Sequence, residues 1–211
     1  MEIEHTLIKP TSGDDKLFNI VIPTYNGGYK LEVIINCFLA QTSSNWQLTI
    51  VSDGREKETE KIIKKYDFDN IAYYYLNNRY NDWGHTPREF GLHQSKSNWT
   101  IMTGFDNYYV PIFIETFEKA SGIENAGFIF CDFVLDHERN GIKYNGYVDS
   151  KLQVNHIDIG NFAVLTSTAK SVGFKSREFA ADWIFVNDIL NHPQQKDKLI
   201  IKIPQTLYIH N

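Results

Sequence analysis

Three short apolar runs, Leu17–Ile22, Leu48–Val51 and Ala72–Leu76, alternate with two helix-patterned stretches over the first third of the chain. Each run ends at turn-forming or polar residues: Pro23, then Ser52-Asp53-Gly54, then Asn77-Asn78-Arg79. Continuous apolar runs of this length read as strands buried on both faces of a parallel sheet. Between the first two runs, Tyr29–Gln41 carries Leu31, Ile34, Ile35, Phe38 and Leu39 at helical spacing. Between the second and third, Arg55–Tyr66 places Glu56, Glu58 and Glu60 early and Lys61, Lys64 and Lys65 late, the order that suits a helix dipole. The pattern β-α-β-α-β predicts a doubly wound α/β sheet whose ligand lies beyond the carboxyl ends of its strands.

The remainder is less regular. Residues 1–16 read as a short polar arm and Asn77–Pro87 as a polar loop. Helices are expected over Arg88–Lys96, Ile112–Ala120 and Asp182–Leu190. Strands are expected over Trp99–Met102, Phe128–Val134, Phe162–Leu165, Leu199–Ile203 and Leu207–Ile209. Asn140-Gly141 has the chemistry of a hairpin turn. No repeat or linker divides the 211 residues, so one domain is expected, parallel in front and mixed behind. Residues 1–107 are expected to make the parallel half and 108–211 the mixed half. A chain ending directly after a strand also fits one domain of a longer protein.

Composition narrows the function. Lys+Arg total 21 against 26 for Asp+Glu, a net charge of −5, which argues against a nucleic-acid partner. Two cysteines, Cys37 and Cys131, exclude a disulfide framework and are expected to be buried thiols. No apolar run suffices for a membrane span, and the acidic N-terminus carries no export signal, so a cytoplasmic protein is expected. The sequon Asn98-Trp99-Thr100 then reads as chance. A G-x-G-x-x-G loop, a P-loop, H-E-x-x-H, C-x-x-C and G-x-S-x-G are all absent.

What remains is polar chemistry at four strand ends: Pro23-Thr24-Tyr25-Asn26, Asp53, Asn77-Asn78-Arg79 and Asp106-Asn107. Such a sheet gathers these loops on one edge. Asp53 is suited to accept hydrogen bonds from a base or ribose. A diphosphate in an acidic protein needs a metal or arginines, which Asp106, Arg79 and Arg88 can supply. Each residue alone has an ordinary explanation as a turn, cap or surface charge; their shared edge is what sets them apart.

Five motifs in order resemble the GT-A glycosyltransferases of the large inverting family 2. Phe18–Asn26 is similar to the first strand and nucleotide-wrapping loop of that family, and Val51-Ser52-Asp53-Gly54 to its second-strand end. Gly84-His85-Thr86-Pro87-Arg88 with Gly91-Leu92 resembles its glycine-then-arginine segment. Ile101–Pro111 resembles the metal-binding D-x-D stretch, and Glu178–Trp183 the acidic pair whose second Asp is the base. Two positions depart: the D-x-D stretch reads Gly104-Phe105-Asp106, and the acidic pair reads Ala181-Asp182. With one aspartate left in the first motif, a diphosphate would supply more of the metal's oxygens.

The resemblance implies a GT-A fold, a mostly parallel central sheet flanked by helices with a small mixed β part in the C-terminal half. It implies a nucleotide-sugar site built from Pro23, Thr24, Tyr25, Asn26, Asp53, Arg79, Gly84, Thr86, Arg88, Gly104, Phe105 and Asp106. Asp182 would be the base of a direct displacement with inversion, and Trp183 would stack on the acceptor or anchor a helix. Mn2+ or Mg2+ would sit at Asp106, with His210 as a further ligand. The donor would be a UDP-sugar, the acceptor a glycan or other hydroxyl. Two other readings stand beside this one: a degenerate module that binds sugars or nucleotides without turnover, and a sugar-nucleotide nucleotidyltransferase. The second wants basic residues in its first loop, and Thr24–Tyr29 has none.

Overall fold

In a computed structural model, residues 3–11, 16–139, 141–178 and 181–211 are described. The strands are β1 (His5–Lys9), β2 (Phe18–Thr24), β3 (Trp46–Ser52), β4 (Ile71–Leu76), β5 (Trp99–Met102), β6 (Tyr108–Tyr109), β7 (Ala126–Arg139), β8 (Ile142–Val148), β9 (Phe162–Leu165) and β10 (Leu199–His210). The helices are α1 (Gly28–Leu39), α2 (Lys57–Lys65), α3 (His85–Gln94), α4 (Phe113–Ser121), α5 (Thr166–Val172) and α6 (Ala181–Leu190).

All ten strands join one sheet in the order β1-β4-β3-β2-β5-β9-β7-β10-β6, with β8 paired to β7 outside that path. The stretch β4-β3-β2-β5 is parallel, as the apolar runs predicted. Every residue of β2, β3 and β5 is buried, because helices cover both faces. Alternation along β2 divides the core: Ile20 and Ile22 face α1, α2 and α4, while Val21 faces α3, α5 and α6. Gly91 lets α3 lie close on the sheet; a Cβ there would stand 2.4 Å from Val21 Cγ1. Beyond β5 the sheet is mixed: β9 runs antiparallel to β5 and β7, and β10 parallel to β7.

The structure corrects several expectations. The polar arm contains an edge strand, β1, antiparallel to β4, and His5 lays its ring 4.5 Å from that of Phe90. An edge strand binds through its backbone and needs no apolar pattern. The loop ends earlier than Pro87, because α3 begins at His85. Tyr108–Tyr109 is a short strand against β10, and the two C-terminal strands are one, with register shifts around Pro204. The hairpin forms with Arg139 opposite Ile142, although Asn140 lies outside the described residues. Cys131 is buried, but Cys37 is only half-buried. Among the described residues, no helix is long and apolar enough to cross a membrane.

Candidate active site

β2 lies between β3 and β5, where the chain's path across the sheet reverses direction, and such a point opens a crevice at the carboxyl ends. A cleft of about 380 Å³ occupies it. Ten of the twelve residues expected to bind a nucleotide sugar line it: Pro23, Thr24, Tyr25, Asp53, Arg79, Gly84, Arg88, Gly104, Phe105 and Asp106.

One wall is built by Asp53. It is buried, and its two oxygens accept the backbone N–H groups of Tyr80 and Asn81, each at 2.8 Å. This fixes the loop after β4 and sets the guanidinium of Arg79 over the Tyr25 ring, 3.6 Å from its centroid. Arg79 also donates to the Asn81 side chain at 3.0 Å. Asn81 and Trp83, neither singled out in the sequence, line the same wall. Both have positive φ, and Trp83 is 69% exposed. Asn tolerates that backbone region and so hinted at a special turn; a Trp there gives no such hint.

The opposite wall is the start of α3. Gly84 has φ +82°, and a Cβ on it would come within 2.8 Å of Pro23 Cβ, so this position demands glycine. Arg88 follows one turn later. It is only 9% exposed, far from the solvated charge ordinary for the first turn of a helix. Its Nη1 donates to Trp83 O at 2.9 Å, while its buried Nε has no hydrogen-bond partner. Thr24 Oγ1, also on the cleft, is likewise buried without a partner. Unsatisfied donors of this kind are costly unless a ligand answers them.

Two expected residues are occupied elsewhere. Thr86 is buried, and both its N–H and its hydroxyl donate to Asp82, the latter at 2.6 Å. Asn26, with φ +52°, turns its N–H to Glu56 at 2.5 Å and lines a separate small hollow.

Behind the cleft lies a group of ionisable residues. The end of β10 reaches the loop after β5, where the N–H of Asn211 donates to Asn107 Oδ1 at 3.2 Å. His210 is thereby held close enough to Asp106 and Asp182 to feel both charges. Its Nδ1 is 2.8 Å from Asp158 Oδ2. Burial works against a charged imidazole here, but Asp158 overcomes it and the pKa is raised. Asp158 is buried and also accepts the Tyr208 hydroxyl at 2.7 Å and the Gly160 N–H at 2.9 Å. Asp182, in the first turn of α6, is pushed up to about 6, by burial first and then by the charge of Asp158. Arg88 and His210 act on it in the opposite sense. Asp158 belonged to no motif and was missed; only its buried ion pair reveals it.

Trp183 packs half-buried against the core cluster under α5 and α6 and does not line the cleft; Phe179 and Ala180, just before α6, lie outside the described residues.

Asp106 offers a carboxylate of the kind a hard dication takes, and His210, whose Nδ1 is engaged by Asp158, would offer Nε2. Among the described residues no cluster of three His, Cys, Asp or Glu side chains is gathered for a metal, so most ligands would come from a diphosphate and water. Lys30 Nζ stands 3.5 Å from Asp106 Oδ2, both side chains about one-third exposed and free to part.

The family model described as "Glycosyl transferase family 2" matches residues 19–169. An uncharacterized glycosyltransferase of Rickettsia typhi is 28% identical over 153 residues, covering 72% of this chain and 47% of that protein. The chain therefore spans about half the length of that relative. Among solved structures, S. aureus TarS (residues 1–349) in complex with UDP superposes with a TM-score of 0.73 at 16% identity, covering 91% of this chain and 59% of that one. The mannosyltransferase PcManGT of Pyrobaculum calidifontis, in complex with GDP-Man and Mn2+, gives 0.69 at 13% identity, with 96% and 59% covered. At these identities the likeness concerns the fold, and it is the GT-A fold that the motifs anticipated.

Proposed function

Because the chain belongs to glycosyltransferase family 2, we propose that it moves a sugar from a nucleotide diphosphate sugar, UDP-linked, to an acceptor hydroxyl, with inversion at the anomeric carbon. The observation that carries this reading is the buried, unpartnered Nε of Arg88 on a cleft that also holds Asp53, Arg79 and Asp106. It is the orphaned half of a fork that a diphosphate oxygen satisfies. Residues 1–211 act as a single GT-A domain, with 1–107 for the nucleotide and 108–211 for the acceptor.

In this mechanism the base of the nucleotide lies against Tyr25 and Arg79 on the wall that Asp53 orders. Arg88 and Thr24 donate to the diphosphate. Asp182, ionised above pH about 6, takes the proton of the acceptor hydroxyl. The acceptor oxygen bonds to the anomeric carbon as the bond to the diphosphate breaks, and the nucleoside diphosphate leaves with the electron pair. Asp106 and His210 would hold Mn2+ or Mg2+, whose charge would offset that developing on the leaving group. A buried site makes the fixed charge of Arg88 count for more than it would in water.

Incubation with UDP-, GDP- and TDP-sugars, with and without Mn2+, tests the reading through thermal stabilisation and release of the nucleoside diphosphate. Stabilisation and release with a UDP-sugar are expected. Binding without release from any donor and acceptor would favour the non-catalytic binding module. Neither binding nor release would overturn both.

A further inference from the structure

β7 and β8 form a hairpin whose two faces differ in chemistry. One face carries Asp136, Glu138, Lys143 and Asn145, with Lys143 Nζ 3.7 Å from Asp136 Oδ1. That is the charged surface an exposed edge strand ordinarily shows to water. The other face carries Leu135, His137, Ile142 and Tyr144, and it is continuous with β10, where His210 pairs with Leu135. Strand β8 is exposed along nearly its whole length. The aromatic face is thus open, and it begins at the candidate active site.

The rings form a ladder. His210 and His137 have centroids 5.0 Å apart, and His137 stacks on Tyr144, also at 5.0 Å, with planes 22° apart. Tyr144 is the outer rung, 42% exposed. Beside it Gly146, opposite Leu135, has φ +149°, and a Cβ there would meet nothing within 4 Å. The missing side chain leaves open space beside the Tyr144 ring, in the row that runs through Leu135 to His210. Two residues along a strand span about 6.7 Å, so Tyr144 stands roughly one pyranose ring away from the row of His210.

We propose that this face of the hairpin is the acceptor platform and that the acceptor is a saccharide, stacked on Tyr144 with a hydroxyl turned toward Asp182. The proposal rests on the glycosyl-transfer reading above. A pyranose has an apolar C–H face and a polar rim; the ladder offers a flat ring for the first and ionisable groups for the second. A peptide or lipid acceptor would not need a ring beside a gap of this kind.

Saturation-transfer NMR on the UDP-saturated protein tests this, with lactose, maltose, chitobiose and gentiobiose as probes at millimolar concentration. At least one disaccharide is expected to receive saturation, strongest on the C–H face of one ring. Tyr144→Ala should weaken that binding about tenfold, and Tyr144→Trp should restore it. Thermal stabilisation by UDP, read on the same samples, should be equal in all three proteins. No transfer to any disaccharide, or equal binding by Tyr144→Ala, overturns the platform while leaving the donor reading intact. Lowered stability of Tyr144→Ala with unchanged sugar binding also overturns it, and assigns the face to packing against protein. If UDP fails to stabilise the wild-type chain, the donor reading is what has failed.

Discussion

Asp158 holds His210 from behind, with its Oδ2 2.8 Å from the imidazole Nδ1 and its Oδ1 engaged by the Tyr208 hydroxyl and the Gly160 N–H. Nδ1 faces a carboxylate and so carries a proton, which leaves Nε2 as the nitrogen that can serve a metal beside Asp106. Asp158→Asn keeps the shape but removes the charge that fixes the ring. Mn2+ affinity in the presence of UDP should fall about 10- to 100-fold. The fold should lose about 3 kcal/mol, the lower end for breaking a buried pair, since His210 keeps 30% of its side chain exposed. Calorimetric Mn2+ titration and thermal melting measure the two effects, and an unaltered titration would reject the positioning role.

Asp182 has to be ionised to accept a proton, and its pKa is raised to about 6 by burial and by Asp158. Transfer should therefore rise with pH through about 6 and level off above it. Asp158→Asn removes one of the two causes, so the acid limb should move to lower pH. Asp182→Asn should lower transfer by about 10²- to 10⁴-fold while UDP binding stays the same. A wild-type limb in the ordinary carboxylate range, or transfer that survives Asp182→Asn, would remove Asp182 as the base.

The parallel core was legible because β2, β3 and β5 are buried on both faces and their apolar runs have no other explanation. The cleft was legible because strand ends in such a sheet converge, which brought Tyr25, Asp53, Arg79 and Asp106 together from four separate loops. What escaped depends on partners rather than on local pattern. β1 is held by backbone bonds to β4, and α5 is built from Thr-Ser-Thr, poor helix formers that only packing on β9 and α6 keeps helical. The roles of Thr86 and Asn26 turned on Asp82 and Glu56, residues with no motif of their own. The tryptophan on the cleft is Trp83, not Trp183, because proximity in sequence to Asp182 says nothing about which way a helix turns its next side chain.

Asp53 acts on the nucleotide through the loop it fixes. Asp53→Ala frees the N–H groups of Tyr80 and Asn81 and loosens Arg79 from its place over Tyr25. Uridine affinity should drop by about 0.5–1.5 kcal/mol, the cost of ordering the Arg79 side chain again on binding. Arg79→Ala should reproduce part of that loss without disturbing the melting temperature, because the loop remains anchored. Isothermal titration with uridine reads both, and an Asp53→Ala protein that binds uridine like the wild type would sever the link between this carboxylate and the base pocket.

Arg88 joins the two halves of the site, since it lines the cleft and also lowers the pKa of Asp182. Arg88→Met keeps most of the buried stem and removes the fork. UDP affinity should fall by about 1.5–3 kcal/mol, whereas uridine, which has no diphosphate, should bind as before. The same substitution takes a positive charge away from Asp182, so the acid limb of transfer should move to higher pH. That is the opposite direction from Asp158→Asn, and the pair of variants separates electrostatic tuning of the base from general damage to the fold, which would lower the rate at every pH without moving the limb. Equal losses for UDP and uridine would show that Arg88 shapes the pocket and does not hold the diphosphate.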